Sequence, residues 1–414
     1  LRQLVDEPLR ILVEGLRPRQ TFVVRAIARV DAENTLASYG EFQADERGRA
    51  EVENAEPSTG TYRRGEMGLL WSMTKDAVPE RLLRDLTLPF PAAAIDPSIV
   101  LFQLEVDGQV VATDRSERLF ARADVRSMEV HESGLVGRLF LPAGKRKSAA
   151  IVLLGGSEGG LETGAARGML LASRGYVTFA VAYFRAQGLP NQLTSIPLET
   201  VRQACIYLSR RGEVDAQRIG IIGSSRAAEL ALLAASMFRQ LKAVVAYAPS
   251  NASWAAIVGG PQQAAWTFNG QPVPFVPNPP AELIAGFKQM TAGLPPPNLQ
   301  GLILAYAHAV ALAEIPVERI NGPVLLISGR EDRLWPSSAM ADLVIARLKE
   351  HRVLRTSEHI AFADAGHIVN FPFLPTSTRT QLGGTIEGLA RADAESWKRV
   401  LAFLALNLRH PDDR

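Results

Sequence analysis

From residue 1 to about 122 the chain alternates apolar and polar positions in short runs separated by turn residues. This is the period of strands buried on one face. "LRILVEGLRPRQTFVVRAIARVD" alternates in this way around a turn at Pro18, and "SIVLFQLEVDGQVVATDRSERLF" around Asp107-Gly108, a dipeptide suited to a two-residue hairpin. No long amphipathic helix interrupts this half, so a β-sandwich domain of immunoglobulin size is expected over residues 1–122. From 123 the pattern changes. After a hairpin in "VRSMEVHESGLVGRLFLP", wholly apolar runs alternate with helical periodicity. "AAIVLLGG", "YVTFAVAYF", "RIGIIG", "AVVAYAP" and "PVLLISG" read as buried strands, and "RTSEHIAFADAG" as a further strand. Helices are expected at 164–174, 197–211, from 226, at 337–350 and at 395–408. Strands apolar on both faces and separated by helices imply a mostly parallel sheet covered on both sides, an α/β domain over 123–414. A long insertion occupies about 250–320.

Composition narrows the function classes. Apolar residues make up 47% and charged residues 21% of the 414, the balance of a globular protein with a sizeable core. Net charge is +2 with no block of one sign, which argues against a nucleic-acid partner. The longest apolar run, "LILAYAHAVALA" at 302–313, is too short to span a bilayer and carries His308. The first residues, "LRQLVDEPLR", lack the apolar core of a signal peptide. The single cysteine, Cys205, cannot form an internal disulfide and falls on the apolar face of a helical stretch. With no Cys/His cluster and no HExxH, neither a metal nor another cofactor is expected. A reducing, cytoplasmic setting fits, and the richness in Ala, Arg, Gly and Pro suits a GC-rich bacterial genome.

In open α/β sheets the reactive groups gather at the carboxyl ends of the strands. There "RIGIIGSSRAAELALLAAS" runs from strand through a sharp turn into helix, like the G-x-S-x-G elbow that exposes a serine above the sheet. Centring the motif on Ser225 places Gly223 before it and the small Ala227 after it. Centring it on Ser224 would put Ile222 and Arg226 where small residues are needed. Ser225 is therefore the candidate nucleophile, although serines at this junction could also simply cap the helix. Downstream, Asp332 follows the strand ending at Gly329 and is the candidate acid, with Glu331 beside it. Among the histidines after Asp332, His351 falls at a helix end, His359 opens a strand and His410 lies in the tail. His367 follows a strand directly and completes a Ser–Asp–His order. Two N–H groups must receive the developing oxyanion. One is that of Arg226, and the other is sought in "LLGGSEGG", at Ser157 or Glu158. Gly156 and the insertion aromatics Trp254, Trp266, Phe268 and Phe275 are candidates to line the substrate pocket.

The chain resembles the acyl-CoA thioesterase and bile acid-CoA:amino acid N-acyltransferase family. The likeness runs through "GEMGLLWSM", "LLGGSEGGLE", "LLASRGYVTFAVAYF", "IGIIGSSRAAELAL", "WTFNGQPVPFVP", "GPVLLISGREDRLWPS" and "DAGHIVNFPF", in the family's order and at comparable spacing. It implies an α/β-hydrolase domain behind a β-sandwich, with Ser225 as nucleophile, Asp332 as acid and His367 as base. Two departures stand out. Arg226-Ala227 replaces the family's usual Lys-Gly, and the nucleophile is serine, common in hydrolytic members, where amidating members use cysteine. The resemblance implies cleavage of an acyl-CoA or carrier-bound thioester. Transfer to an amine or alcohol acceptor is the alternative, and a catalytically weak binding homologue a third reading.

Overall fold

The computed structural model describes all residues except 1, 80–87, 94, 133, 145, 258–261, 278–284, 287, 290, 291, 293, 296, 297, 299, 302, 305–310, 354, 355 and 409–414. His308, His410 and much of the proline-rich insertion thus lie outside the described residues. The chain forms two compact units. The first comprises Leu1–Arg122, Asn370–Thr380 and Thr385–Ala394, and the second Ala123–Val369, Gln381–Gly384 and Glu395–Arg414.

In the first unit a six-stranded sheet contains Thr21–Arg29, Thr35–Gln43, Ser98–Val106 and Gln109–Leu119. The last two form the expected hairpin, with Asp107 (φ 51°) and Gly108 (φ 75°) both left-handed, as its tight turn requires. The alternation around Pro18 has a different outcome. Leu12–Val13 pairs with Ala50–Glu51 in a separate two-stranded sheet, while Thr21–Arg29 pairs with Thr35–Gln43. Alternation reports which face is buried, not which strand is the partner. Phe22, Val24, Ala26, Leu36, Val52, Leu70 and Trp71 fill the core of this unit.

The second unit is built on eight strands: β1 (Arg126–Glu132), β2 (Leu135–Leu141), β3 (Ser148–Leu154), β4 (Val177–Ala182), β5 (Val214–Ser224), β6 (Leu241–Tyr247), β7 (Val324–Gly329) and β8 (Glu358–Phe362). Their order across the sheet is β8-β7-β6-β5-β3-β4-β2-β1. β2 is antiparallel to both β1 and β4, and β3 to β8 are parallel. This is the α/β-hydrolase fold. β4, β6 and β7 are buried almost throughout, which is why they read as unbroken apolar runs. Between them run α1 (Glu162–Ala172), α2 (Glu199–Ser209), α3 (Arg226–Met237) and α4 (Ser337–Glu350). Cys205 is fully buried on α2, and loss of solvation raises its thiol to about 12. The last helix, α5 (Ile386–Leu408), starts nine residues before the expected 395. Its first turns read as polar because they hold Asp393, which is fully buried and ion-paired with Arg379. Among the described residues, no helix is long and apolar enough to cross a membrane.

Candidate active site

β5 delivers the chain to Ser225, where φ is 56° and ψ −121°, and α3 begins at the next residue. A side chain other than glycine holds such a conformation only when its surroundings impose it. Here Ser225 N–H donates to the Tyr247 carbonyl at 2.8 Å. The Ser225 carbonyl in turn accepts from the N–H groups of Ala228 (2.9 Å) and Glu229 (3.2 Å). The strand–helix turn is so tight that a Cβ placed on Gly223 would lie 2.1 Å from the Ala227 carbonyl oxygen. That contact explains why the motif registers on Ser225. Ala227 is fully buried in the first turn of α3, which accommodates its methyl group. Because the clash at 223 is with backbone, Gly223→Ala is expected to lower stability by about 1–3 kcal/mol. Comparing the unfolding midpoints of the two proteins checks this.

The Asp332 carboxylate is fully buried beyond the end of β7. Its Oδ1 accepts from the N–H groups of Leu334 (3.0 Å) and Trp335 (2.9 Å), and its Oδ2 from the Ser337 hydroxyl (2.7 Å) and His367 Nδ1 (2.8 Å). Four donors fix its orientation. Since a carboxylate only accepts, the His367 proton sits on Nδ1 and leaves Nε2 to accept from the Ser225 hydroxyl at 3.0 Å. The loop carrying His367 approaches closely because Gly366 has no side chain; a Cβ there would stand 2.1 Å from the Gly383 carbonyl oxygen. The neighbouring Glu331 is exposed. Ser225, His367 and Asp332 thus form one continuous hydrogen-bonded chain, and the serine is half-buried and reachable.

A second Ser–His–Asp chain exists by atom type alone. Ser328 lies 2.7 Å from His359 Nε2, and His359 Nδ1 lies 2.8 Å from Asp342. Its serine is buried within β7 in ordinary extended backbone, so no substrate carbonyl reaches it. Burial also lowers the pKa of His359. The remaining described histidines stand apart, His351 exposed at the end of α4 and His131 on β1.

The glycine loop after β3 lies against the elbow. A Cβ on Gly156 would be 3.6 Å from Ser225 Cβ and 3.1 Å from the Ser224 carbonyl oxygen. Tyr183 anchors this loop by donating its hydroxyl to the Gly155 carbonyl at 2.5 Å and that of Gly156 at 3.1 Å. Burial, followed by the charge of Glu158, holds the Tyr183 phenol well above its usual pKa. Glu158 takes part through its side chain: its Oε1 accepts from Gly156 N–H at 2.8 Å. Gly156 is therefore the loop residue brought against Ser225, while Ser157 is half-buried beside it.

The insertion aromatics take different places. Trp254 and Trp266 are fully buried and line no open surface. Trp266 Nε1 (2.5 Å) and the Trp254 backbone N–H (3.0 Å) both donate to Glu229 Oε1, and Glu229 Oε2 accepts from Arg226 Nη1 at 2.7 Å. Arg226 also donates to the Trp254 and Ala255 carbonyls and lies over the Trp266 ring. The residue after the nucleophile therefore turns its side chain into a sealed ion pair that holds α3 to Trp254, Ala255 and Trp266. Burial lowers the Arg226 pKa and raises that of Glu229, while their mutual attraction opposes both shifts. Phe268 is half-buried against Phe238, and Phe275 is half-buried. Sequence reasoning missed Glu229, Tyr183 and Arg167. Arg167 Nη1 donates to Ser224 Oγ at 2.7 Å, so the first elbow serine is already engaged. The charged residues Glu229 and Arg167, placed within otherwise apolar helical stretches, were the available signal.

Two family models cover most of the chain. The one described as BAAT / Acyl-CoA thioester hydrolase C terminal matches residues 196–410, and the Acyl-CoA thioester hydrolase/BAAT N-terminal region matches 6–132. The chain belongs to the BAAT/acyl-CoA thioester hydrolase family. Membership makes it an enzyme and accounts for its two-part grammar. Mouse acyl-coenzyme A thioesterase 6 is 29% identical, over 97% of this chain and 94% of that one. Mouse bile acid-CoA:amino acid N-acyltransferase is 28% identical, over 99% and 96%. A solved structure of a Mycobacterium tuberculosis puromycin-hydrolyzing peptidase is 16% identical with a TM-score of 0.47, covering 76% of this chain and 45% of that one.

Proposed function

We propose that this member of the BAAT/acyl-CoA thioester hydrolase family hydrolyses acyl-CoA thioesters through an acyl-enzyme on Ser225. The observation that carries the reading is the unbroken chain from Ser225 through His367 to Asp332 at a strained strand–helix elbow. His367 Nε2 takes the hydroxyl proton as Ser225 Oγ bonds to the thioester carbonyl carbon. The oxyanion is received by Arg226 N–H and by the backbone N–H of Ser157 or Glu158, since that of Gly156 already donates to the Glu158 carboxylate. Each such donor is worth about a hundred- to a thousandfold in rate. Collapse breaks the C–S bond, and the departing sulfur takes the proton from His367. Water then loses a proton to Nε2 as its oxygen attacks the ester carbonyl, and Nε2 passes that proton to Ser225 Oγ as the ester C–O bond breaks, releasing the carboxylic acid and restoring Ser225 and neutral His367. Asp332 holds the imidazole in the required tautomer throughout. Phe268 and Phe275, both half-buried, are proposed contacts for the acyl group. A carrier-bound thioester would present the same reacting atoms. A cytoplasmic setting is proposed from the lone, buried Cys205.

The similarity to an N-acyltransferase makes transfer the competing outcome. Serine favours water as acceptor, since its acyl-enzyme is an oxygen ester of modest reactivity toward amines. A panel of acyl-CoA esters, assayed for free thiol and free acid with and without added amines and alcohols, separates the two. Hydrolysis predicts one acid per thiol and a rate unchanged by acceptor. Amide or ester replacing the acid would establish transfer.

A further inference from the structure

Arg167 lies in the middle of α1, only 4% exposed, between small or apolar neighbours. The helix packs closely on the sheet at this point. A Cβ on Gly164 would stand 3.2 Å from the Leu153 carbonyl oxygen, and one on Gly168 3.1 Å from Leu153 Cδ1. From there the guanidinium reaches the carboxyl end of β5, where it meets groups from three elements. Its Nη1 donates to Ser224 Oγ at 2.7 Å and its Nη2 to the Val369 carbonyl at 3.4 Å. Its central carbon lies 4.4 Å from the centroid of the Tyr247 ring.

Each contact falls beside a group that the reaction uses. Ser224 immediately precedes the nucleophile. Tyr247 stands opposite Ser224 across the β5–β6 ladder, and its carbonyl accepts the Ser225 N–H. Val369 is two residues beyond His367 in the same loop. Arginine suits such a junction, because its rigid planar fork aims N–H groups at separate acceptors while its face rests on a ring.

We propose that Arg167 is a positioning residue, a clamp that holds the nucleophile elbow and the His367 loop at the spacing proton transfer needs. The 3.0 Å between Ser225 Oγ and His367 Nε2 joins two backbones 142 residues apart in the chain, and Arg167 bonds to both. Without it, Ser225 keeps its bond to Tyr247 and His367 its bond to Asp332, so the fold persists while the serine–histidine distance loosens. A misplacement of about 1 Å at reacting atoms costs about a hundredfold in rate. The inference rests on Ser225 and His367 acting as nucleophile and base, whatever acyl donor they serve.

The test compares Arg167→Met, Arg167→Lys, Ser224→Ala and the double variant Arg167→Met/Ser224→Ala with the parent chain, each checked by thermal unfolding. Two readouts are taken: the rate at which a fluorophosphonate probe modifies Ser225, and kcat and KM with an acyl-CoA. Arg167→Met is expected to lower the probe rate and kcat by about ten- to a hundredfold, with KM within about twofold. A merely structural role would lower the unfolding temperature and leave the rates of the folded protein intact. Ser224→Ala should slow the probe by about three- to tenfold, the loss of one charge-assisted hydrogen bond. The double variant should be no slower than Arg167→Met, since the two side chains act through one contact. Arg167→Lys, which reaches one acceptor but not both, should fall between Arg167→Met and the parent. A folded Arg167→Met protein within about threefold of the parent, or losses that multiply in the double variant, would overturn the proposal. Should Arg167→Met fail to fold, Ser224→Ala decides alone, and a parental probe rate in that folded protein would overturn the clamp. A parent that reacts with the probe but not with acyl-CoA would fault the thioester reading only, and the probe rates would still decide the role of Arg167.

Discussion

Ser225→Ala is expected to lower kcat for acyl-CoA hydrolysis by about a millionfold, the loss seen when the nucleophile of a serine triad is removed. Folding should be unaffected, because the elbow is held by backbone bonds to Tyr247, Ala228 and Glu229 that alanine preserves. Residual turnover would come from the oxyanion donors and substrate positioning, which alone are worth about 10³–10⁴ over water. Ser224 offers no rescue, since its hydroxyl accepts from Arg167 and the chain to His367 runs through Ser225. Thiol release measured beside thermal unfolding checks both halves of this expectation. A folded Ser225→Ala protein within tenfold of the parent would remove Ser225 from the mechanism.

Glu229→Leu is expected to cost about 3–5 kcal/mol, because it leaves the Arg226 guanidinium buried without its countercharge. The further substitution Arg226→Met should recover much of that loss, since an apolar pair of similar volume replaces a buried ion pair at little cost. Recovery should stop short of complete, as Trp266 Nε1 and the Trp254 N–H would still lack the acceptor Glu229 supplies. Urea unfolding followed by tryptophan fluorescence measures this directly. If Glu229→Leu unfolds at the parental midpoint, the pair is not what ties α3 to Trp254, Ala255 and Trp266. Activity of the double variant bears on a second point: Arg226 serves the oxyanion through its backbone N–H, so methionine at 226 should keep much of the turnover.

Much of this architecture was legible in the sequence because burial leaves a period. Strands apolar on both faces announced the parallel sheet, and Gly223 announced the elbow, since only a residue without a side chain fits 2.1 Å from a carbonyl. Asp332 and His367 could be chosen by their places at strand ends. What the sequence concealed was pairing and side-chain direction. Nothing in the alternation around Pro18 reveals that Leu12–Val13 seeks Ala50–Glu51. Asp393 made the start of α5 read as polar surface, although Arg379 allows it to be buried. Trp254 and Trp266 look like pocket aromatics in a proline-rich insertion, yet Glu229 draws both indole-bearing segments inward. Glu158 was read for its backbone N–H, while in the fold its carboxylate caps the N–H of Gly156.

The claim on which the account turns is that Ser225 carries the acyl group between thiol release and hydrolysis. Intact-mass spectrometry of the protein quenched during turnover of an acyl-CoA, followed by peptide mapping, tests it most directly. The account predicts a mass increase equal to one acyl group on the peptide containing Ser225, absent from the Ser225→Ala protein. Thiol release at full rate with no such adduct under any quench, or an adduct on another residue that is chemically and kinetically competent, would contradict it.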